Sequence, residues 1–250
     1  YYTIQAHESH GDIIYWPLKA LAYYLKQTGD TALLNTSVPY FSIKDNQFTQ
    51  PFPIIDHVKY QIQTMFDHLI NDLPIYGGGD WDDTLQPANQ TLKEQMVSGW
   101  TAALMIQSIE AFALEIKTYD KTYASYLRDM ISHVKDARLT YLLPDGIPAG
   151  FVVFNPEPSY LLHPRDEETT LSYRLLPLIR SMIAGLTTKE ETKTYISLIE
   201  KHLKHPDGVR LMNQPVTYSG GDKKYFNRAE TAANFGREIG LQYVHAHIRY

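Results

Sequence analysis

The residues with the clearest chemical potential lie in the stretch GGGDWDD at positions 77–83. Three glycines lead into Asp80, Trp81, Asp82 and Asp83, so three carboxyl groups surround one indole ring. Like charges at this spacing repel, and at least one carboxyl group is expected to keep its proton to higher pH. Such a group beside an indole platform could protonate a glycosidic oxygen while the ring stacks on a sugar. The alternative is that Asp80 or Asp82 caps the next segment and Trp81 packs in the core.

Two glutamates form a second candidate pair near the end of the chain. Glu230 and Glu238 are eight residues apart and share one face if a continuous helix carries them. In an inverting hydrolase, one of them could activate a water molecule. The alternative for Glu230 is a surface salt bridge with Arg228 or Arg237. We favour the salt bridge for Glu230.

The histidines and the remaining charged loop give weaker signals. His245 and His247 are spaced i, i+2, which points them to different faces of a helix, so no metal site is predicted. The loop HPRDEE at 163–168 could line a site through Arg165, or it could cap the following helix. Asp12 begins a helical pattern, and helix capping is its simplest interpretation.

The elements that must position these residues are mostly helices. The stretch 91–117 carries apolar residues on more than one face, which predicts a helix buried on several sides. Residues 144–165 contain prolines, glycines and the run Phe151-Val152-Val153-Phe154, which indicates a loop with one hairpin. Long helices joined by elaborate loops suggest a toroid with its site where the loops gather. Helical spacing is found at 11–27, 54–70, 91–117, 120–143, 168–185, 189–204 and 227–250.

Composition narrows the class of protein. The 250 residues are 44% hydrophobic, with 23 Lys and Arg against 28 Asp and Glu and a formal charge of −5. No basic block is present, which argues against nucleic acid as a partner. The chain has no cysteine, so disulfides and thiolate chemistry are excluded and a cytoplasmic location is expected. We see no membrane span or signal peptide, and the lack of an initial Met suggests a piece of a longer protein.

Several motifs together carry a resemblance to a known family. The stretch GDWDD resembles the Gly-Asp-Trp-Asn-Asp signature of glycoside hydrolase family 94, the inverting disaccharide and oligoglucan phosphorylases. HGDIIYWPLKALAYYLKQTGD at 10–30 resembles the family's Asp-x-x-Leu-Trp helix that ends in Thr-Gly-Asp. DGVRLM at 207–212 and GREIGLQYVHAH at 236–247 resemble its Gly-Leu-Arg and Gly-x-x-Glu-x-Gly…His-Ala segments. The resemblance covers most of the chain, and the sequence of these motifs is most similar to large proteins related to cyclic β-1,2-glucan synthase.

The resemblance implies a fold, an activity and partners. The fold is all-α, an incomplete (α/α)6 toroid with a hairpin insertion, in a single domain 1–250 of a larger protein. The activity is inverting phosphorolysis of a β-linked gluco-oligosaccharide to α-glucose 1-phosphate. Inorganic phosphate is the co-substrate, and no organic cofactor or metal is implied. No nucleic acid or membrane is expected as a partner, and a homodimer through the parent protein is possible.

The resemblance also assigns roles to residues by their positions in the motifs. Asp83, the last residue of the signature, is the general acid. Asp82 stands where the family has Asn, which adds a negative charge beside that acid. The remaining roles are sugar binding by Asp12, Asp80, Trp81, Arg210 and Glu238, and phosphate binding by His245.

Two other functions stay open at the level of sequence. An inverting hydrolase on the same barrel would need a base such as Glu238, with the two carboxyl groups roughly 6.5–9.5 Å apart. A non-catalytic sugar-binding part of a glucan synthase would instead have Asp83 paired with a cation or salt-bridged away from the cleft.

Overall fold

The structure is a computed structural model that describes residues 11–42, 44–217, 222–230 and 248. Within these ranges the chain is mainly helical, with short strands in four small antiparallel sheets. The helices are α1 Tyr15–Thr28, α2 Ile54–Asp67, α3 Gln90–Gln95, α4 Gly99–Glu115, α5 Lys121–Tyr141, α6 Leu175–Ile183 and α7 Lys189–His202. The strands are β1 Ser37–Ser42, β2 Gln47–Pro53, β3 Leu69–Ile70, β4 Leu73–Pro74, β5 Met96–Ser98, β6 Phe151–Phe154, β7 Pro158–Leu161, β8 Lys204–His205 and β9 Gly208–Val209.

Helix α4 is the centre of the described core. It packs against α1, α5 and α6, and twelve of its seventeen residues are buried. Its apolar side chains point in several directions, so no single face could satisfy them. The prediction of a helix buried on several sides is confirmed for α4.

The predicted helix at 91–117 is interrupted by a strand at Met96–Ser98. The chain forms the short helix α3, then the strand β5, and only then α4. Met96, Val97 and Ser98 pair with Val153, Val152 and Phe151 of β6, so β5 joins the predicted hairpin β6–β7 as a third strand. The Ser98 hydroxyl then starts α4 by accepting from the Thr101 N–H at 3.4 Å.

Two further boundaries differ from the sequence prediction. Residues 168–174 are not helical, because the Asp166 carboxylate accepts from the N–H groups of Glu168 and Thr169 at 2.8 Å and holds a turn. Helix α6 therefore begins only at Leu175. The predicted helix at 227–250 lies mostly outside the described residues, and residues 227–230 form a turn.

The sheets also qualify the all-α prediction. Strands β1 and β2 form a hairpin between α1 and α2 that the helical pattern did not predict. The coarser prediction of a mainly helical chain agrees with the structure. Of the helices in the described ranges, none is long and apolar enough to cross a membrane.

Candidate functional site

The glycine-rich loop at 77–83 is held in place by backbone contacts on both sides. The N–H of Gly77 donates to the carbonyl of Lys93 at 3.0 Å, and the N–H of Gly11 donates to the carbonyl of Gly79 at 2.7 Å. A Cβ on Gly11 would lie 2.5 Å from the Tyr76 carbonyl oxygen, so only glycine permits this approach. The loop is thereby joined to the segment that leads into α1.

The carboxylate of Asp80 is completely buried and bound by a guanidinium. Arg174 donates from Nη2 to Oδ1 of Asp80 at 3.0 Å and from Nη1 to Oδ2 at 3.1 Å. The Ser98 hydroxyl adds a bond to Oδ2 at 2.9 Å, and the Asp82 N–H donates to Oδ1 at 3.0 Å. Both side chains of the ion pair have no exposed surface. Asp80 therefore fixes the start of the loop from within the protein.

Asp82 belongs to the same buried cluster. Its Oδ2 lies 3.5 Å from Nη2 of Arg174, and its Oδ1 accepts from the Thr84 hydroxyl at 2.6 Å. Burial by itself lowers the pKa of Arg174, but the carboxylates of Asp80 and Asp82 raise it on balance. The negative charge of the motif is thus balanced by the buried guanidinium of Arg174, which lies outside the motif in sequence.

Asp83 carries the carboxyl group of the motif that remains accessible. It opens a short 3₁₀ turn, Asp83–Leu85, and about a third of its side chain, 32%, is exposed. Its Oδ2 lies 3.5 Å from Nη1 of Arg228. The backbone around Arg228 is tied to the same turn, since the Ala229 N–H donates to the Thr84 carbonyl at 3.0 Å.

Trp81 is partly buried and packs against the hydrophobic core. Part of the indole therefore packs in the core, as one alternative predicted, and another part is accessible, as the sugar-platform alternative requires. Asp82 occupies the N-cap position of the following turn, but its side chain does not make a capping hydrogen bond there.

Asp12 is close to the glycine loop but does not cap α1. The N-cap of that helix is Ile14, and the Asp12 carboxylate instead accepts from Nε1 of Trp16 at 2.9 Å. The capping interpretation was wrong, because the helix starts at Tyr15 and its N-cap position is therefore Ile14. Asp12 itself is buried and follows Gly11, whose N–H contacts the loop at Gly79.

Arg210 lies directly after β9, and its side chain is partly exposed. Its Nη2 lies 3.2 Å from the carboxylate of Asp207. The next residue, Leu211, accepts from the Leu175 N–H at 2.8 Å, so this segment runs beside the residues around Arg174. Glu238 and His245 lie outside the described residues.

Glu230 has a role that differs from the surface salt bridge we favoured. It is buried, and its carboxylate accepts from three consecutive backbone N–H groups at 2.5–2.7 Å, those of Lys224, Tyr225 and Phe226. The Tyr225 carbonyl in turn accepts from the Ala88 N–H at 2.9 Å. Glu230 therefore orders the strand-like segment that supports the Asp83 turn.

The charged loop at 163–168 divides into a buried and an exposed part. His163 is buried, and its Nε2 is 3.1 Å from the Pro144 carbonyl. Arg165 is about half exposed and pairs with Asp145 at 2.7 Å. In the described part of the chain, no cluster of three or more potential metal ligands occurs.

The cluster around the acidic motif contains residues that the sequence did not predict. Arg174 and Ser98 hold Asp80, and Arg228 faces Asp83, although they lie far from the motif in sequence. The only local signal was the excess of carboxylates in GDWDD, which required a cation from elsewhere.

Comparison with known proteins identifies the family of the chain. The model of the family described as "Glycosyl hydrolase 94 superfamily, catalytic domain" matches residues 4–247. The chain belongs to this family. It is also 41% identical, over 256 aligned residues and 100% of its own length, to a protein of Listeria innocua named 1,2-beta-oligoglucan phosphorylase. The chain spans 23% of the length of that relative.

Proposed function

We propose that the protein containing this chain catalyses inverting phosphorolysis of a β-linked gluco-oligosaccharide. The observation that carries the proposal is the 41% identity across the whole chain to a relative named as an oligoglucan phosphorylase. The name of that relative also favours β-1,2-linked glucose chains as the substrate. The chain would contribute part of the active site, and the parent protein the remainder.

The proposed reaction balances without a further co-reactant. A phosphate oxygen attacks the anomeric carbon from the face opposite the glycosidic bond, and that bond breaks. The departing oxygen receives a proton from Asp83, and the products are α-glucose 1-phosphate and the shortened oligosaccharide. Phosphate is already a nucleophilic anion, so this reaction needs no general base, whereas inverting hydrolysis does.

Asp83 is supported as the proton donor by its accessibility. Its two acidic neighbours are fully buried, whereas about a third of its own side chain is exposed. A proton donor must carry its proton when the sugar is bound, whereas an ion pair requires the carboxylate. We therefore expect the contact with Arg228 to open when substrate binds.

The other members of the site have supporting roles in this proposal. Trp81 would offer the accessible part of its ring to a sugar, and Asp80 would hold the loop because its carboxylate is turned inward to Arg174. The remaining assignments are sugar binding by Asp12, Arg210 and Glu238, and phosphate binding by His245. They rest on the family motifs.

The wider assignments belong to the same proposal. We propose that residues 1–250 form one domain of a larger protein, as most of an (α/α)6 barrel, supported by the family and by the helices packed around α4. The homodimer, the cytoplasmic location and the absence of a cofactor stay predictions.

The test uses the complete parent protein. It is incubated with β-1,2- and β-1,4-linked gluco-oligosaccharides, with and without phosphate, and both glucose 1-phosphate and free glucose are assayed. The variant is Asp83→Asn, and the matched control is Asp120→Asn. Asp120 has a similar exposure, 29%, and is also ion-paired, with Lys59 at 3.0 Å, but it caps α5.

The outcomes separate the three functions. Glucose 1-phosphate that requires phosphate and Asp83 supports the proposal, provided that Asp120→Asn keeps its activity. Sugar release that does not depend on phosphate would indicate the inverting hydrolase. Binding of the oligosaccharides without any turnover would indicate a non-catalytic sugar-binding part of a synthase.

A further inference from the structure

The buried guanidinium of Arg174 is the point where the acidic loop is fixed to the rest of the protein. It contacts both carboxylates that flank Trp81, those of Asp80 and Asp82, and its Nη1 lies 3.4 Å from the Ser98 hydroxyl. All of these groups are buried. Such charges are stable in the interior only while they remain paired and hydrogen-bonded.

The backbone at Arg174 is held without help from the acidic loop. The side-chain oxygen of Asn213 accepts from the N–H groups of Ser172 and Tyr173 at 2.9 and 3.0 Å. Arg174 forms an isolated antiparallel bridge with Met212 and directly precedes α6. Its guanidinium carbon also lies 4.6 Å from the centre of the Phe151 ring. The start of the Arg174 side chain and one face of its guanidinium thus have supports outside the loop, and the loop carboxylates bind the other end of the side chain.

The buried cluster also fixes the residues on either side of Asp83. Asp82 precedes Asp83 and is bound to Arg174, and Thr84 follows Asp83 and donates its hydroxyl to Asp82 at 2.6 Å. Asp83 therefore lies between two residues whose side chains are both fixed by the cluster. A displaced acid loses much of its effect, since proton transfer requires a heavy-atom distance of about 2.6–3.2 Å.

We propose that Arg174 is a positioning residue for the reaction, which sets the place of Asp83 through Asp80, Asp82 and Thr84. This inference rests on the proposed function of Asp83 as proton donor. It adds that correct placement of the donor depends on a buried cation 91 positions further along the chain. Arg174 does not touch the substrate in this account.

The first experiment compares two buried arginines in the complete protein. Arg174→Lys keeps the charge but loses the two-pronged contact with Asp80. The matched control is Arg138→Lys, because Arg138 is also buried but bonds to the Ser181 hydroxyl at 2.9 Å, on helix α6. The kcat and KM of phosphorolysis and the Tm are measured for both variants.

A positioning role predicts a specific pattern in these values. Arg174→Lys should lower kcat at least tenfold and change the KM for the oligosaccharide less than threefold. Arg138→Lys should keep kcat within twofold even if its Tm falls by the same amount. Equal and small effects of both variants on kcat would overturn the inference and leave Arg174 a purely structural residue.

A second variant keeps the inference testable if Arg174→Lys does not fold. Asp80→Asn retains the shape and one acceptor oxygen, and it should lower kcat at least fivefold with little change in KM. In the double variant, kcat should fall no further than in the worse single variant, because both changes loosen one cluster. A rise in KM without a fall in kcat for Asp80→Asn would mean that Asp80 contacts the sugar, and the inference would fail.

Asp83→Asn, measured in parallel, separates this inference from the proposed function. If Asp83→Asn stays active, the proposed function of Asp83 is wrong. If Asp83→Asn is inactive while Arg174→Lys and Asp80→Asn are fully active, only the positioning role is wrong.

Discussion

Removing the carboxylate of Glu230 should release the segment that supports the Asp83 turn. Three backbone N–H groups donate to this buried side chain, at 2.5 Å from Lys224 and 2.7 Å from both Tyr225 and Phe226. A hydrogen bond to a charged group contributes roughly 1.5–3 kcal/mol net, and such contributions are not additive within one cluster. We therefore expect Glu230→Ala to destabilise the segment by about 4 kcal/mol.

The glutamine variant separates charge from shape. In Glu230→Gln, the amide oxygen can still accept from two of the N–H groups, while the NH₂ group faces the third donor. We expect a cost of about 2 kcal/mol, roughly half that of the alanine variant. Since about 1.4 kcal/mol corresponds to a factor of ten, local opening should increase by about 30-fold in Glu230→Gln and by about 1,000-fold in Glu230→Ala.

Hydrogen exchange measures this opening directly. Mass spectrometry of a peptide that covers residues 222–230 should show faster amide exchange in the order Glu230→Ala, Glu230→Gln, wild type. The control is Glu110→Gln, which removes the ion pair with the partly exposed Lys135. It should change the free energy of local opening, measured by exchange, by less than about 0.5 kcal/mol. Wild-type exchange rates in Glu230→Ala would refute the reasoning, because the three hydrogen bonds would then contribute nothing.

Two further predictions concern a buried histidine and a glycine contact. His163 accepts at Nδ1 from the Arg165 N–H and contacts the Pro144 carbonyl through Nε2, and burial lowers its pKa below the ordinary 6.5. The unfolded chain then protonates this imidazole more readily than the folded chain does. The Tm should therefore fall as the pH drops through 6.5 and below. The variant His163→Asn should show a weaker pH dependence of Tm. Gly11→Ala would bring a Cβ to 2.5 Å from the Tyr76 carbonyl oxygen and should cost about 1–3 kcal/mol; an unchanged Tm would contradict this.

The helices were predictable where one periodic pattern coincided with one element. Helices α1, α2, α5 and α7 each lie within or close to a stretch of helical spacing, because a half-buried helix needs one apolar stripe. The pattern failed at Met96–Ser98, since a short apolar run looks the same in a buried strand and in a buried helix. Only the pairing with β6, more than fifty residues further along the chain, makes this run a strand.

The candidate site was predictable as a motif but not as an arrangement. GDWDD shows that carboxyl groups are concentrated, but it does not show which of them face inward. That choice depends on Arg174, which reaches the loop through the tertiary fold. The burial of Glu230 was missed for a related reason, because charged neighbours in sequence suggest a surface ion pair, whereas this carboxylate is buried and accepts from backbone N–H groups of a turn.

The buried cluster also restricts the order in which substitutions can accumulate at this loop. Arg174 and Asp80 balance each other, so a lineage with that pair can alternate between Asn and Asp at position 82 at modest cost. The reverse order is unfavourable, because a chain that lost Arg174 first would bury both carboxylates without the guanidinium that they contact. Positions 80 and 174 should therefore change together or not at all, whereas position 82 can exchange Asp for Asn, which keeps an acceptor oxygen for the Thr84 hydroxyl. An engineer who wishes to alter the surroundings of Asp83 should begin at position 82.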